Sequence, residues 1–204
     1  MDSTGSRTYF QQRDPRALAR LTIPSESQLA KARLLYVDWY DGVRVLDAME
    51  RAQAHGVPVF LNLESRYCGA PNLPDLLRLT NVCQVSVDEP QAAGDPPDIA
   101  RGLLDAGVDI VLVTQGAGGC LVAQENQAFH IRPPEVKVID GYGAGAAFSA
   151  GVIYGFQAGW SLERSARFAT AHAGLKCGVA GNAVLAVDVV QEAAGGLPCQ
   201  PLAL

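Results

Sequence analysis

The sequence predicts an α/β protein in which helices cover both faces of a mainly parallel β-sheet. Short apolar segments alternate with amphipathic segments of about ten to fifteen residues along most of the chain, the pattern of repeated strand–helix units. Asp109–Thr114 is an almost continuous apolar run, as expected for a strand that is covered on both faces. A length of 204 residues fits one domain, or a domain plus a fragment.

Composition excludes several classes of protein. The chain is 49% hydrophobic and 18% charged, which is typical of a folded domain. Its net charge is −5 and its arginines are scattered, which argues against a nucleic-acid partner. No run of about 18 or more apolar residues is present, and the first residues lack the apolar core of a signal peptide, so no membrane partner is expected.

Cysteines and histidines are dispersed along the chain. The five cysteines form no Cys-x-x-Cys pair, and the three histidines are isolated, which argues against a structural zinc site. An odd number of thiols, several in apolar surroundings, indicates reduced core cysteines. We therefore expect a cytoplasmic protein.

Residues 1–20 are expected to hold an edge strand, Arg7–Arg13, and a linker, and residues 21–195 to form the core. Ser25 and Gln28 match a capping box and begin the first helix. Residues 196–204 are expected to be a frayed tail rich in Gly and Pro.

The spacing of apolar residues indicates the strands and helices of the core. The predicted strands are Leu34–Asp38, Val57–Leu63, Val82–Val87, Asp109–Thr114, Cys120–Ala123, Ala128–Ile131 and Val136–Ile139. The predicted helices are Val43–His55, Leu73–Leu79, Pro97–Ala106, a glycine-led helix running to about Gly159, and Ser161–Lys176.

The central stretch Ile139–Gly151 places three glycines within five residues, between a predicted strand and a helix. Such a turn lets the backbone approach a ligand, and the helix N-terminus favours an anion, typically phosphate. Alternatively, the small residues permit close helix–sheet packing. An acid or base in the first helical turn would lie beside a bound phosphate, and Ala146, which can do no proton chemistry, occupies that position.

A second glycine-rich turn, Thr114–Gly119, also follows a predicted strand. Ligands of parallel sheets bind beyond the carboxyl ends of the strands, so this turn is a second candidate binding loop. The alternative interpretation of Thr114 and Gly116 is a plain connection from a strand to a hairpin.

The order of these motifs resembles the ribokinase or PfkB family of ATP-dependent carbohydrate kinases. Asp140–Phe148 resembles the family signature Asp-Thr-x-Gly-Ala-Gly-Asp-x-Phe, and Thr114–Gly119 resembles its Thr-x-Gly-x-x-Gly nucleotide loop. Lys176-Cys177-Gly178, followed by Gly181, resembles the adenine-side helix and loop and is most similar to ketohexokinase-like members.

The resemblance implies a ribokinase-like three-layer α/β/α fold and transfer of the γ-phosphoryl group of ATP to a sugar hydroxyl, with Mg²⁺. Backbone amides of Gly143, Ala144 and Gly145 would form the anion hole. The implied nucleotide-binding residues are Thr114, Gly116, Gly119, Gly143, Gly145, Cys177, Gly181 and Asn182.

Three of the residues to which the resemblance gives a role also have another interpretation. Asp140 is implied to bind a monovalent cation, K⁺ in particular, and a strand-end acid that caps a turn is the alternative. The side chain of Cys177 is interpreted as a core thiol rather than a reactive one, and the alternative for Asn182 is an ordinary loop residue.

Departures from the family pattern predict impaired activity. The chain is expected to begin inside the lid, without the first strands and most sugar contacts, which puts sugar binding in doubt. Asp88-Glu89-Pro90-Gln91 replaces the motif Asn-x-x-Glu, leaving Asp88 and Glu89 as candidate magnesium ligands. Ala146 replaces the catalytic aspartate.

The sequence is therefore consistent with two functions. One is an impaired, ketohexokinase-like sugar kinase. The other is a degenerate kinase that binds nucleotide without transferring phosphate, as a regulator or binding module. A vestigial fragment without ligand is a weaker third. Because the family often dimerises through its lid, a homodimer is also expected.

Overall fold

A computed structural model describes residues 22–39, 43–65, 72–87, 94–181 and 183–204. The helices in these ranges are α1 (Glu26–Leu29), α2 (Val43–Ala54), α3 (Leu73–Arg78), α4 (Pro96–Asp105), α5 (Ala144–Gln157), α6 (Leu162–Cys177) and α7 (Val187–Gly195). The strands are β1 (Leu35–Asp38), β2 (Val59–Glu64), β3 (Val82–Ser86), β4 (Ile110–Thr114), β5 (Cys120–Gln124), β6 (Gln127–Ile131) and β7 (Cys199–Leu202).

The seven described strands form one sheet whose order follows the chain from β1 to β7. β1 runs parallel to β2, with Leu35 opposite Val59, and β2 runs parallel to β3. Glu125–Asn126 is the whole connection between β5 and β6, and so short a connection joins antiparallel neighbours. The sheet is therefore mixed, and the predicted parallel arrangement is confirmed for its first strands.

The chain divides into two compact units. Among the described residues, the first unit comprises 22–113, 122–128 and 203–204. The second unit comprises Thr114–Leu121 and Phe129–Leu202. Both glycine-rich turns therefore belong to the second unit.

The first unit is built on fully buried strand side chains. Phe60 and Leu61 of β2 and Met49 of α2 are each 0% exposed, as the apolar periodicity predicts. At the amino end of this strand, Asn81 accepts a hydrogen bond from the Val59 backbone N–H at 3.0 Å. In α1 the predicted capping box is confirmed.

Close contact between α5 and α6 dominates the second unit. A Cβ atom on Gly151 would lie 2.6 Å from the Cα atom of Ala169, and one on Gly155 would lie 2.4 Å from Ser165 Oγ. Glycine at these two positions lets the helix backbones approach more closely than any side chain would permit.

The predicted strand Val136–Ile139 is wrong. The segment has no regular secondary structure, and Val138 and Ile139 are 58% and 51% exposed. Pro133 and Pro134 precede it and lack an N–H for a strand ladder. The Ile139 N–H instead donates to the Cys177 carbonyl at 2.8 Å, at the end of α6.

The chain after residue 186 is more ordered than the sequence analysis expects. Helix α7 was not predicted, and its Val190 and Ala194 are 1% and 7% exposed. Cys199–Leu202, predicted to fray, forms β7 beside β6, where the Arg132 N–H donates to the Pro198 carbonyl at 3.4 Å. Burial of a few apolar side chains outweighs the local Gly and Pro signals.

Among the described residues, no helix is both long enough and apolar enough to cross a bilayer.

The contact between α5 and α6 makes a testable prediction. Gly151→Ala is expected to lower the free energy of unfolding by about 1–3 kcal/mol, because the new methyl group has no space beside Ala169. Gly102→Ala in α4 is the control: apart from its chain neighbours and the backbone of its own helix, no described atom lies within 4 Å of its new methyl group. That control should gain about 0.5–1 kcal/mol from reduced backbone freedom. Urea denaturation measures both, and equal stability of the two variants would contradict the packing argument.

Candidate functional site

The central loop turns into α5 at Gly143. This residue has φ +80°, a left-handed conformation that glycine adopts without steric cost. Its carbonyl accepts the hydrogen bond of the Ala147 N–H at 2.9 Å, which begins the helix. Amides of a first helical turn have no carbonyl acceptors within the helix, and the dipole is positive at that end. The Ala144 N–H donates to the Gly141 carbonyl of the loop at 3.3 Å. The loop therefore has the form of an anion-binding site.

Asp140 joins this loop to the segment that follows α6. Its Oδ1 atom accepts a hydrogen bond from the Tyr142 N–H at 2.9 Å, and its Oδ2 atom accepts one from the Gly181 N–H at 3.0 Å. The first bond closes the turn locally, as the turn-capping interpretation predicts. The second bond spans 41 residues of sequence and brings Gly181, a predicted nucleotide-binding residue, beside the glycine loop.

Cys177 reinforces the same junction through its backbone. Its carbonyl accepts hydrogen bonds from Ile139 N at 2.8 Å and Asp140 N at 3.1 Å. The Cys177 side chain is half-buried. The structure therefore brings together the loop of Gly143 and the end of α6, two of the three motifs that the sequence analysis singles out.

Lys176 is the residue of this junction that the sequence analysis did not assign a role. Its side chain is 4% exposed, and its Nζ atom donates to the Asp140 carbonyl at 2.8 Å and lies 3.7 Å from Asp140 Oδ2. A buried ammonium requires a compensating partner, and Asp140 is that partner. The available signal was a lysine between Leu175 and Cys177, at an otherwise apolar end of a helix.

The second glycine-rich turn has a compact backbone. Gly116–Gly118 forms a 3-10 turn, and the Gln115 N–H donates to the Gly119 carbonyl at 2.8 Å. Gly119 has φ +94°, and a Cβ atom there would lie 2.1 Å from the Ile131 carbonyl oxygen. Glycine is therefore required at this position on steric grounds alone. Thr114 is half-buried and Gly116 is exposed.

Ala146 lies in the first turn of α5 and is exposed. Its methyl group offers no proton acceptor, whereas the backbone of the loop is unaffected by the identity of this side chain. The position can therefore take a larger side chain without displacing core residues.

Asp88, Glu89 and Asn182 lie outside the described residues, as do Arg7–Arg13. Within the part of the chain that is described, no group of three or more His, Cys, Asp or Glu side chains is placed to hold a metal ion.

The pfkB family carbohydrate kinase profile matches residues 12–186 of the sequence. The chain belongs to the pfkB family of carbohydrate kinases. Membership confirms the family that the motifs indicate, and it does not single out the ketohexokinase-like members.

Curated relatives are other sugar kinases. The aminoimidazole riboside kinase of Salmonella typhimurium is 33% identical over 116 residues, 52% of this chain and 36% of that protein. The 2-dehydro-3-deoxygluconokinase of Escherichia coli is 27% identical over 194 residues, 81% of this chain and 62% of that protein. This pfkB chain therefore spans less than two thirds of either relative.

Solved structures show the same fold. The ribokinase of Thermotoga maritima matches with a TM-score of 0.73 at 18% identity, over 85% of this chain and 60% of that one. An Escherichia coli structure provisionally assigned as ribokinase II, in complex with ATP and Mg²⁺, matches with a TM-score of 0.71 at 21% identity, over 82% of this chain and 60% of that one. The ribokinase-like fold is thereby confirmed for the part that the chain covers.

His172 on α6 has an unusual environment. Burial lowers the pKa of its imidazole from the ordinary value of 6.5, and a hydrogen bond with the Ala147 backbone opposes that shift. Among the described atoms, its Nδ1 is buried without a hydrogen-bond partner. These features favour the neutral ring in the folded protein.

The lowered pKa of His172 makes the stability of the folded protein depend on pH. Because the folded-state pKa lies below the unfolded one, the stability that His172 contributes is present above about pH 6.5 and is lost as the pH falls through the folded pKa. We expect Tm to fall between about pH 7.5 and about pH 5.5, and His172→Gln to make that fall smaller. His130→Gln is the control, and identical pH profiles for the two variants would contradict the assignment.

Proposed function

We propose that this chain is the nucleotide-binding part of an ATP-dependent carbohydrate kinase, and that it holds ATP with little capacity to transfer phosphate. The observation that carries the proposal is the junction at Asp140. It attaches a glycine loop at a helix N-terminus to the segment containing Gly181. A loop held in this way presents amides to an anion without having to be ordered first.

The two glycine-rich turns have separate roles in this proposal. Amides of Gly143, Ala144 and Gly145 bind the terminal phosphate, because charge develops there during in-line transfer. Thr114, Gly116 and Gly119 contact the remaining phosphates or the ribose, and Cys177, Gly181 and Asn182 lie on the adenine side. Support comes from the backbone geometry at Gly143 and from membership of the pfkB family.

Mg²⁺ is proposed to accompany ATP, as in the Escherichia coli structure that holds both. Asp88 and Glu89 supply the carboxylate oxygens that Mg²⁺ prefers. The ion would neutralise phosphate charge, and the residues of the glycine loop would orient the nucleotide.

Impaired transfer is proposed from Ala146. A general base raises the rate of such reactions by about 10²- to 10⁴-fold. The methyl group of Ala146 cannot accept the proton of the sugar hydroxyl. The specific resemblance to ketohexokinases rests on Lys176-Cys177-Gly178 followed by Val179-Ala180-Gly181, so the sugar class stays open to test.

A second candidate is a binding module without any transfer activity. It is favoured by two departures in one chain, Ala146 and the sequence Asp88-Glu89-Pro90-Gln91. A protein of this kind would use nucleotide as a structural or regulatory ligand.

Both candidate functions require that the chain binds ATP. Calorimetric titration with ATP, with and without Mg²⁺, tests this binding. We expect a Kd near micromolar, about −8 kcal/mol, because both loops are formed before the ligand arrives. Absence of binding at millimolar ATP would remove both candidates.

The Ala146→Asp variant separates the two candidates. If the chain is an impaired kinase, sugar-dependent ADP release should rise by about 10²- to 10⁴-fold when tested with a panel of pentoses and hexoses. Ala150→Asp is the matched control, since Ala150 is also exposed and lies one turn further along α5. Binding of ATP with no gain of transfer in Ala146→Asp would favour the binding module.

A further inference from the structure

We propose that Lys176 is a built-in monovalent cation for the glycine loop, so that the site at Asp140 takes neither K⁺ nor Na⁺. The inference rests on the proposed function for its link to nucleotide binding. The cation site itself is a separate claim that can be tested without nucleotide.

The oxygens at this site are those that a monovalent cation would use. The Asp140 backbone carbonyl and its carboxylate both face the Lys176 ammonium, at 2.8 Å for the carbonyl and 3.7 Å for Oδ2. Carbonyl oxygens replace the water shell of ions such as K⁺, and a carboxylate adds charge compensation. The ammonium already occupies the place that such an ion would take, so the residues do not fit a second cation.

Burial explains why the ammonium excludes a soluble ion. The Lys176 side chain is 4% exposed and that of Asp140 is 17% exposed. Charges removed from water interact strongly because little solvent screens them, and like charges repel correspondingly. A free cation close enough to coordinate Asp140 would lie within a few ångströms of a fixed positive charge.

The covalent attachment of Lys176 also explains its advantage over an ion from solution. It lies in the last turn of α6, where a positive charge interacts favourably with the negative end of the helix dipole. An ion must be captured from solution at a given concentration, whereas this ammonium is present whenever α6 is folded.

The consequence is a positioning role. Asp140 binds the Tyr142 and Gly181 amides, so a charge that orients Asp140 also orients the loop and the segment after α6. Lys176 thereby acts on the anion-binding site through Asp140, and it is not proposed to touch the substrate.

The first test compares Tm in KCl, NaCl and tetramethylammonium chloride at equal ionic strength. The unmodified protein should have the same Tm in all three salts. Lys176→Ala should have a lower Tm in tetramethylammonium chloride and recover part of the loss as K⁺ is added, because K⁺ binds the vacated site of the folded state only. Lys137→Ala is the matched control, since Lys137 is exposed in the segment before Asp140. It should resemble the unmodified protein.

Two results would overturn the inference. One is a Tm of the unmodified protein that rises specifically with K⁺ or Na⁺. The other is a Lys176→Ala variant that loses the same stability in every salt, which would make the lysine an ordinary hydrogen-bonding residue. Should Lys176→Ala not fold, an equal Tm of the unmodified protein in the three salts still supports the exclusion of soluble ions, and a Tm that rises with K⁺ or Na⁺ overturns it.

A second test measures the Kd for ATP by calorimetric titration in KCl and in tetramethylammonium chloride. An equal Kd in both salts supports the inference, and a lower Kd in KCl overturns it. If ATP does not bind in either salt, the proposed function fails, and the Tm comparison alone then supports or overturns the cation role of Lys176.

Discussion

The carboxylate of Asp140 holds together two segments that are 41 residues apart in the sequence. It accepts amide hydrogens from both segments and lies against the buried ammonium of Lys176. The contact with Lys176 compensates an ammonium that would be costly to bury alone. The conformation of the glycine loop, the start of α5 and the end of α6 all depend on this one residue.

Much of the fold could be predicted because most elements carry a local signal. Strands such as β4 are apolar runs, and α6 follows Ser161, whose hydroxyl accepts the Arg164 N–H as an N-cap. The false strand at Val136–Ile139 has the right composition, but its backbone bonds go to α6. The end of the chain could not be predicted, because Val190 of α7 is buried by tertiary contacts and the Gly- and Pro-rich segment that follows α7 indicates a frayed tail.

Some residues of the candidate site could likewise be predicted from the sequence, and others could not. Its glycines were identifiable because a positive φ at Gly143 and the close approach at Gly119 are demands that only glycine meets. The role of Lys176 could not be predicted, because its partner is 36 residues away and a buried lysine has no periodicity of its own. The backbone sets the geometry of the loop at Gly143, so that geometry does not depend on the side chain of Ala146.

The interlocked glycines of α5 have a consequence for how a ligand would be received. At Gly151 and Gly155 the two helices pack with no room for a side chain between them. At the other end, the loop that leads into α5 is held by the hydrogen bond of the Tyr142 N–H to Asp140. Under the proposed function, a phosphate would reach a loop whose backbone is already ordered, and association would cost little conformational entropy. Recognition would then be close to lock-and-key, with selectivity for the shape of the ligand.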